Sequence, residues 1–461
     1  MASTPPTLCF NEIFKYLRGD ISSLYSCALV NHHWSEHAIP ELWRDPFVVT
    51  KSKSRRAKLI YSLLPFLDRN AKHQFAPSAL YRSPCYHYLS YMRNFSFSGL
   101  VKISKGIARE VVPENYKKTV FKKPIDTKFV KVLCHAIVSY CHNLERIDND
   151  LTAPFFQNRF HINQQQLTVS QWNFFKFPGA NTSFSRLRCL YVDNLNASSI
   201  INSAATVVPE LTEITIRMYT KNFRNRLTNM TYSDELLPKS SLYMLKSFPK
   251  LERFNIVEGQ RTKWRSFNAS SFLIFIGHKL PQTVKHFCFD INCEFSANSL
   301  KEFLDNTASH LTSLSFARSK KFSCDHLDVI CKHKDVHIEM LDISSSKITD
   351  ESILDMAKAH ISTVRFDSTM KGHSPDTDDK FQGLDDPYFR RNWSDYYNDA
   401  RDSSDFENDT DLDNSDFELN NNRYRGRPVS SIKNHVFSTS RDINIISLIN
   451  IHLKEKNPEL H

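Results

Sequence analysis

Ten cysteines and nineteen histidines are spread over the 461 residues, and two stretches bring them close enough to suggest metal chemistry. Cys134-His135 and Cys141-His142 stand seven residues apart, and Cys324-Asp-His-Leu-Asp-Val-Ile-Cys331-Lys-His333 repeats that cysteine spacing. On a helix this is about two turns, too far for two thiolates to share one tetrahedral ion unless the histidines bend inward. The same stretches carry Val130, Leu133, Ile137 and Val138, or Leu327 and Ile330, at helical spacing. They read as core faces in which cysteine serves as a small hydrophobe. Neither HExxH nor CxxC occurs anywhere. No nucleophile, base and orienting group fall into a recognisable motif either, so the reading is a non-catalytic chain with no metal and no cofactor.

Glycine usage narrows the chemistry further. Only nine glycines are present, and the nearest two, Gly99 and Gly106, are seven residues apart. GxGxxG, GxxxxGK[ST] and GxSxG all need clustered glycines, because only a residue without Cβ lets backbone N–H groups close on a phosphate or holds a nucleophile on a strained turn. Nucleotide-binding and hydrolase loops of these kinds are excluded. No apolar run approaches the roughly 20 residues of a membrane helix. The start, Met-Ala-Ser-Thr-Pro-Pro-Thr-Leu, has neither the basic nor the apolar region of a secretory signal. Scattered cysteines in such a chain are expected to be reduced thiols in the cytoplasm or nucleus.

The elements that must do the work are therefore ones that act by contact. In Thr7–Leu17, Phe10, Ile13, Phe14 and Leu17 recur at i, i+3, i+4 and i+7, one apolar stripe of a helix that Pro6 opens. Gly19 stops it, and Asp20 caps a second helix with Ile21, Leu24, Cys27 and Ala28 on one face. Leu29 and Val30 follow. Asn31 caps a third, carrying Trp34, Ala38, Leu42 and Trp43, which Pro40 is expected to bend or break. Three such short helices are too small to bury Phe14, Trp34 and Trp43 among themselves, and each large side chain left wet forfeits about 1.5–3 kcal/mol. A partner protein is expected to cover them.

The string Ile13-Phe-Lys-Tyr-Leu, then Asp20-Ile-Ser-Ser-Leu-Tyr-Ser-Cys-Ala-Leu-Val-Asn, Trp34, and Ala38-Ile-Pro-Glu-Leu-Trp-Arg-Asp-Pro-Phe47 resembles an F-box. It is similar to those of the expanded F-box families of arbuscular mycorrhizal fungi. The resemblance covers about a tenth of the chain. It implies docking on the Skp adaptor of a cullin-RING ubiquitin ligase through Pro6, Phe10, Ile13, Phe14, Leu17, Leu24, Leu29, Val30, Trp34, Leu42 and Trp43. The rest of the chain would then recruit a target protein. Two positions depart from the family pattern: Pro5 stands where a leucine opens the motif, and Cys9 where a larger aliphatic side chain is usual.

Beyond residue 85, three apolar residues at x, x+3 and x+5 recur. They are Met92/Phe95/Phe97, an incomplete Leu144/Ile147, Leu187/Leu190/Val192, Leu211/Ile214/Ile216 and Leu251/Phe254/Ile256. Val284/Phe287/Phe289, Leu311/Leu314/Phe316, Ile338/Leu341/Ile343 and Ile361/Val364/Phe366 complete the series. A chain that is 41% hydrophobic offers roughly thirty chance matches, so context must decide. Several triplets follow a helical stretch and a proline turn, as in Val208-Pro-Glu-Leu and Phe248-Pro-Lys-Leu, and most successive copies are spaced as leucine-rich repeats are. The expectation is an α/β chain: an irregular, curved solenoid of strand-helix units resembling degenerate leucine-rich repeats, with parallel strands on the concave side.

Charge marks the remaining boundaries. Residues 375–420 hold fifteen Asp/Glu against four Lys/Arg, a net of −11, and show no apolar period. They read as a disordered acidic segment. Residues 1–374 carry +17, which suggests a basic concave face and an acidic target. The organisation expected is 1–47 F-box; 48–85 basic linker and helix, opening with Lys51-Ser-Lys-Ser-Arg-Arg-Ala-Lys58; 86–370 repeats; 371–426 acidic segment; and 427–461, a C-terminal segment with the apolar content of one further repeat. Two other readings stay open: a repeat scaffold with an F-box remnant, and a basic nucleic-acid-binding solenoid. The second is disfavoured because aromatic and basic residues are not interleaved in a compact motif.

Overall fold

The middle residue of each of the nine triplets read in the sequence lies on a β-strand. The computed structural model describes residues 7–47, 59–75, 84, 86–110, 127–149, 173–194, 196–218, 242–258, 267–307, 310–319, 321–334, 337–344 and 351–365. Pro6, the basic run, the acidic segment and residues 427–461 lie outside the described residues.

Three helices open the described chain: α1 (Thr7–Tyr16), α2 (Ile21–Ala28) and α3 (His32–Leu42). Leu59, Ile60, Leu63 and a 3-10 turn, Leu64–Phe66, follow and are buried up to Leu67. The strands are β1 (Asn94–Ser96), β2 (Arg146–Asn149), β3 (Cys189–Asp193), β4 (Glu213–Met218), β5 (Arg253–Glu258), β6 (His286–Asp290), β7 (Ser313–Ser315), β8 (Met340–Asp342) and β9 (Thr363–Arg365). They form one sheet in chain order, every neighbouring pair parallel. A parallel pair needs a crossover between its strands. Helical segments supply it: α4 (Phe97–Glu110), α5 (Thr127–Tyr140), α6 (Ala197–Val207), α7 (Ser270–Lys279), α8 (Ala297–Thr307), α9 (Cys324–Lys332) and α10 (Glu351–His360). A separate pair of two-residue parallel strands, Phe267–Asn268 and Cys293–Glu294, lies beside this sheet.

The register explains the triplets. Phe95, Ile147, Leu190, Ile214, Phe254, Phe287, Leu314, Leu341 and Val364 pair strand to strand as one row. The first triplet residues, from Met92 to Ile361, are all buried, as are the third residues Phe97, Val192, Ile216, Ile256, Phe289, Phe316 and Ile343. Each repeat thus contributes apolar rungs to a core that continues into the next repeat, the arrangement of a solenoid-like α/β fold. In the incomplete triplet the third position is Asn149, which is buried among these apolar rungs with neither amide atom hydrogen-bonded.

In the first stretch cysteine is a core residue, as the spacing implied; in the second, Cys324 and Cys331 are only half-buried. Cys134 and Cys141 on and after α5 are fully buried, and burial pushes both thiols well above their ordinary range. The Cys141 Sγ meets the Met92 Sδ at 4.0 Å. In the second stretch Leu327 and Ile330 are buried, His326 caps the start of α9 from Nδ1 and meets the Phe295 carbonyl at 2.8 Å, and His333 pairs with Asp305 at 3.0 Å. Among the described residues no group of three His, Cys, Asp or Glu side chains could hold a metal ion, and no helix is long and apolar enough to cross a membrane.

Candidate partner-binding site

The N-terminal helices are set by local signals. Gly19 has φ +90°, a conformation that side chains disfavour, and it ends the turn after α1. Asp20 accepts from the Ser23 N–H at 3.0 Å and the Ser23 hydroxyl at 2.6 Å, and these bonds hold its carboxyl below the ordinary range. Asn31 accepts from the Trp34 N–H at 2.9 Å. Arg18 donates to both oxygens of Glu41 at 2.7 and 3.0 Å, tying the end of α1 to α3. Pro40 does not break α3, which runs on to Leu42. The proline sits in the last turn, where it forfeits one hydrogen bond while Ile39 and Leu42 remain buried.

The expected apolar stripe of α1 is divided by the structure. Phe10 and Phe14 are buried against α3, where Trp34 meets their rings edge-on at 5.4 and 5.9 Å. Leu17, Leu29 and Trp34 are half-buried, and Leu24, Leu42 and Trp43 are buried. Ile13 is 49% exposed and Val30 54% exposed. The expectation that Phe14, Trp34 and Trp43 require a partner protein is corrected for Phe14 and Trp43: the chain covers them itself. Trp43 stacks on Tyr88 at 4.5 Å, and Phe47 packs edge-on to Phe95 at 5.6 Å.

Two exposed residues escape the sequence reading. Leu8 is 77% and Tyr16 85% exposed on α1. The signal was present: both are large apolar residues outside the stripe of Phe10, Ile13, Phe14 and Leu17, so a helix that buries that stripe leaves them to solvent. Of the exposed large apolar residues among those described, Leu8, Ile13, Tyr16 and Val30 belong to the N-terminal helices; the others are Tyr140 and Tyr243.

These helices are joined to the sheet by backbone and side chains. The Arg44 carbonyl accepts from the Arg93 and Asn94 N–H groups at 2.9 and 3.0 Å. The same spacing recurs from Arg93 to Glu145, from Glu145 to Arg188 and onward, so the ladder begins at Arg44. Arg44 also meets Glu145 at 2.7 Å, and Asn94 donates to Asp45 at 3.0 Å.

The polar face of the sheet is the second candidate surface. The row before the buried middle residues holds Arg146, Cys189, Glu213, Arg253 and His286, and the row after holds Asp148, Tyr191, Thr215, Asn255 and Cys288. Arg217 pairs with Asp148 at 2.9 Å, Arg146 lies 4.2 Å over the Tyr191 ring, and the Tyr191 hydroxyl donates to Glu213 at 2.9 Å. Burial and the Glu213 carboxylate push the Cys189 thiol up to about 12. Toward β8, Arg318 meets Glu258 at 3.2 Å and Asp290 at 3.4 Å. The rows are mixed in sign rather than basic: Arg217 stands in register with Asp193, Arg253 with Glu213 and Arg365 with Asp342, while Arg146 stands between Asn94 and Cys189. Asp148, Asp193 and Asp290 are buried within them.

Neither a family model nor a curated protein matches the chain.

Proposed function

We propose that the chain is a substrate-recruiting subunit of a Skp-cullin-F-box type ubiquitin ligase, with α1–α3 as an F-box and the strand-helix units as degenerate leucine-rich repeats. The observation that carries this reading is the exposure of Leu8, Ile13 and Tyr16 on α1 and of Val30 after α2. Burying four such side chains against a partner is worth several kcal/mol at about 1.5–3 kcal/mol each. That suits a docking face.

On this reading Phe10, Phe14, Leu24, Leu42 and Trp43 support the face from behind, and Ile13 and Val30 meet the adaptor. The polar face of the sheet, with its mixed charges and Tyr191, is where a target protein docks. No bond is made or broken by this chain. Its contribution is proximity: it holds the target at high effective concentration beside the subunit that carries activated ubiquitin. The ladder that starts at Arg44 supports this role, because it leaves no loose joint between the docking helices and β1.

A repeat scaffold whose N-terminal helices only cap the first strand would also use Arg44, Trp43 and Phe47. Such a cap has no use for three exposed apolar side chains, Leu8, Ile13 and Tyr16, and this favours the adaptor reading. The test is capture of purified Skp adaptor by the immobilised full chain. Retention of the adaptor by the wild-type chain and its loss with Ile13→Asp is the expected outcome. No capture by the wild-type chain overturns the reading.

A further inference from the structure

The seat of α1 is made of rings that can take up a proton. His37 on α3 stacks on Phe10 with an interplanar angle of 3° and a centroid distance of 5.5 Å, and lies 6.3 Å from Phe14. His33, one turn earlier, meets Phe10 edge-on at 4.8 Å and His37 at 5.0 Å. Phe10 and Phe14 are the only side chains of α1 that are buried, so α1 is held largely through this layer.

The layer is built for neutral imidazoles. His37 Nδ1 is 3.0 Å from Asn11 Oδ1, which can only accept, so the proton of neutral His37 resides on Nδ1. His33 Nε2 is buried without a hydrogen-bond partner. A charge on His37 would stand 5.0 Å from that ring. The charged groups around the layer do not offset it. On α3, Glu36 lies 3.5 Å from His32 and 3.9 Å from His33 on the exposed side, and Glu41 is engaged by Arg18. On α1, Glu12 is paired with Lys15 at 2.5 Å. Tyr91 feels Glu36 from its own segment and stays neutral in this range.

We propose that the histidine layer is an acid-sensitive latch: charging His37 unseats α1 and withdraws the exposed apolar side chains that it carries. Burial first, and His33 second, already hold His37 below its ordinary 6.5, against the pull of Glu36. A group depressed in the folded state contributes stability that is present above its unfolded value and lost as pH falls through the folded one. The latch therefore opens below about pH 6.5. Its consequence for ligase assembly rests on the adaptor reading, but the latch itself is a property of the free chain.

Hydrogen exchange of the full chain, without adaptor, tests it at about pH 7.5 and about pH 5.5, with rates corrected for intrinsic chemistry. Protection of the α1 amides is expected to fall about threefold or more at the lower pH, while β3–β5 keep theirs. Gln can still donate to Asn11 but does not titrate, so the variant with both His33→Gln and His37→Gln is expected to protect α1 equally at the two pH values. Equal protection at both pH values in the wild type overturns the latch, as does an undiminished acid loss in the double variant. Either failure leaves adaptor capture at neutral pH untouched, so the two readings fail separately.

Discussion

Asn149 is buried with no hydrogen-bond partner for its amide, and Asp290 is buried with one oxygen that no hydrogen bond reaches, the Arg318 guanidinium standing 3.4 Å from it. Asn149 takes the third position of a triplet that elsewhere holds Phe, Val or Ile, and its amide has no partner. An unpaired buried polar group costs about 1–3 kcal/mol. Asn149→Val, which copies Val192 one strand over, is expected to raise the denaturant midpoint by a gain of about 1 kcal/mol or more. Asp290 is 5% exposed, and burial first, then Asp342 and Glu258 against the pull of Arg318, pushes its carboxyl up to about 6. A raised carboxyl favours folding at low pH, and that contribution is lost as pH rises from 3.8 through about 6. Asp290→Asn is expected to stabilise the fold at about pH 7.5 by an amount on the order of 1–3 kcal/mol, with the gain gone by about pH 4. Denaturant unfolding at the two pH values measures it; a pH-independent effect would contradict the assignment.

Among the elements, the strands were the most legible in the sequence. The x, x+3, x+5 triplets work because the first residue closes the turn onto the core while the second and third share the inward side of a strand. Even the incomplete triplet at Leu144/Ile147 is a strand, with the cost at Asn149. The caps were legible too, since Gly19, Asp20 and Asn31 act within three residues of their targets. Burial of Trp43 was not, because its cover, Tyr88, lies far along the chain and no local period announces it. Nor was the division of α1, where apolar residues on both sides leave the inward row to be chosen by Trp34 and the histidines of α3. The junction offers a test at this scale. A Cβ on Gly99 at the start of α4 would stand 2.8 Å from the Phe47 Cβ, closer than such atoms pack. Gly99→Val is therefore expected to destabilise the chain by about 1–3 kcal/mol and to lower its thermal midpoint. A Val variant as stable as wild type would show that Phe47 does not clamp the first repeat.

Over the whole molecule, charge is arranged differently from what the total implies. The net charge of +10 is not expressed on the polar rows of the sheet, where Arg217, Arg253 and Arg365 each stand beside a carboxylate. On the proposed reading a target would be selected by a pattern of both signs around Tyr191, and such charges set encounter rate and specificity more than affinity. What unites the described residues is a continuous ladder from Arg44 to β9, with exposed apolar side chains on α1 and a polar sheet face. Adaptor binding is the central claim, and calorimetric titration of the full-length chain with purified Skp adaptor at neutral pH tests it most directly. The account predicts saturable binding by the wild-type chain and a loss of at least about tenfold in affinity with Ile13→Asp, equivalent to about 1.4 kcal/mol, at unchanged thermal stability. Absence of binding, or equal binding by the Ile13→Asp chain, would contradict it.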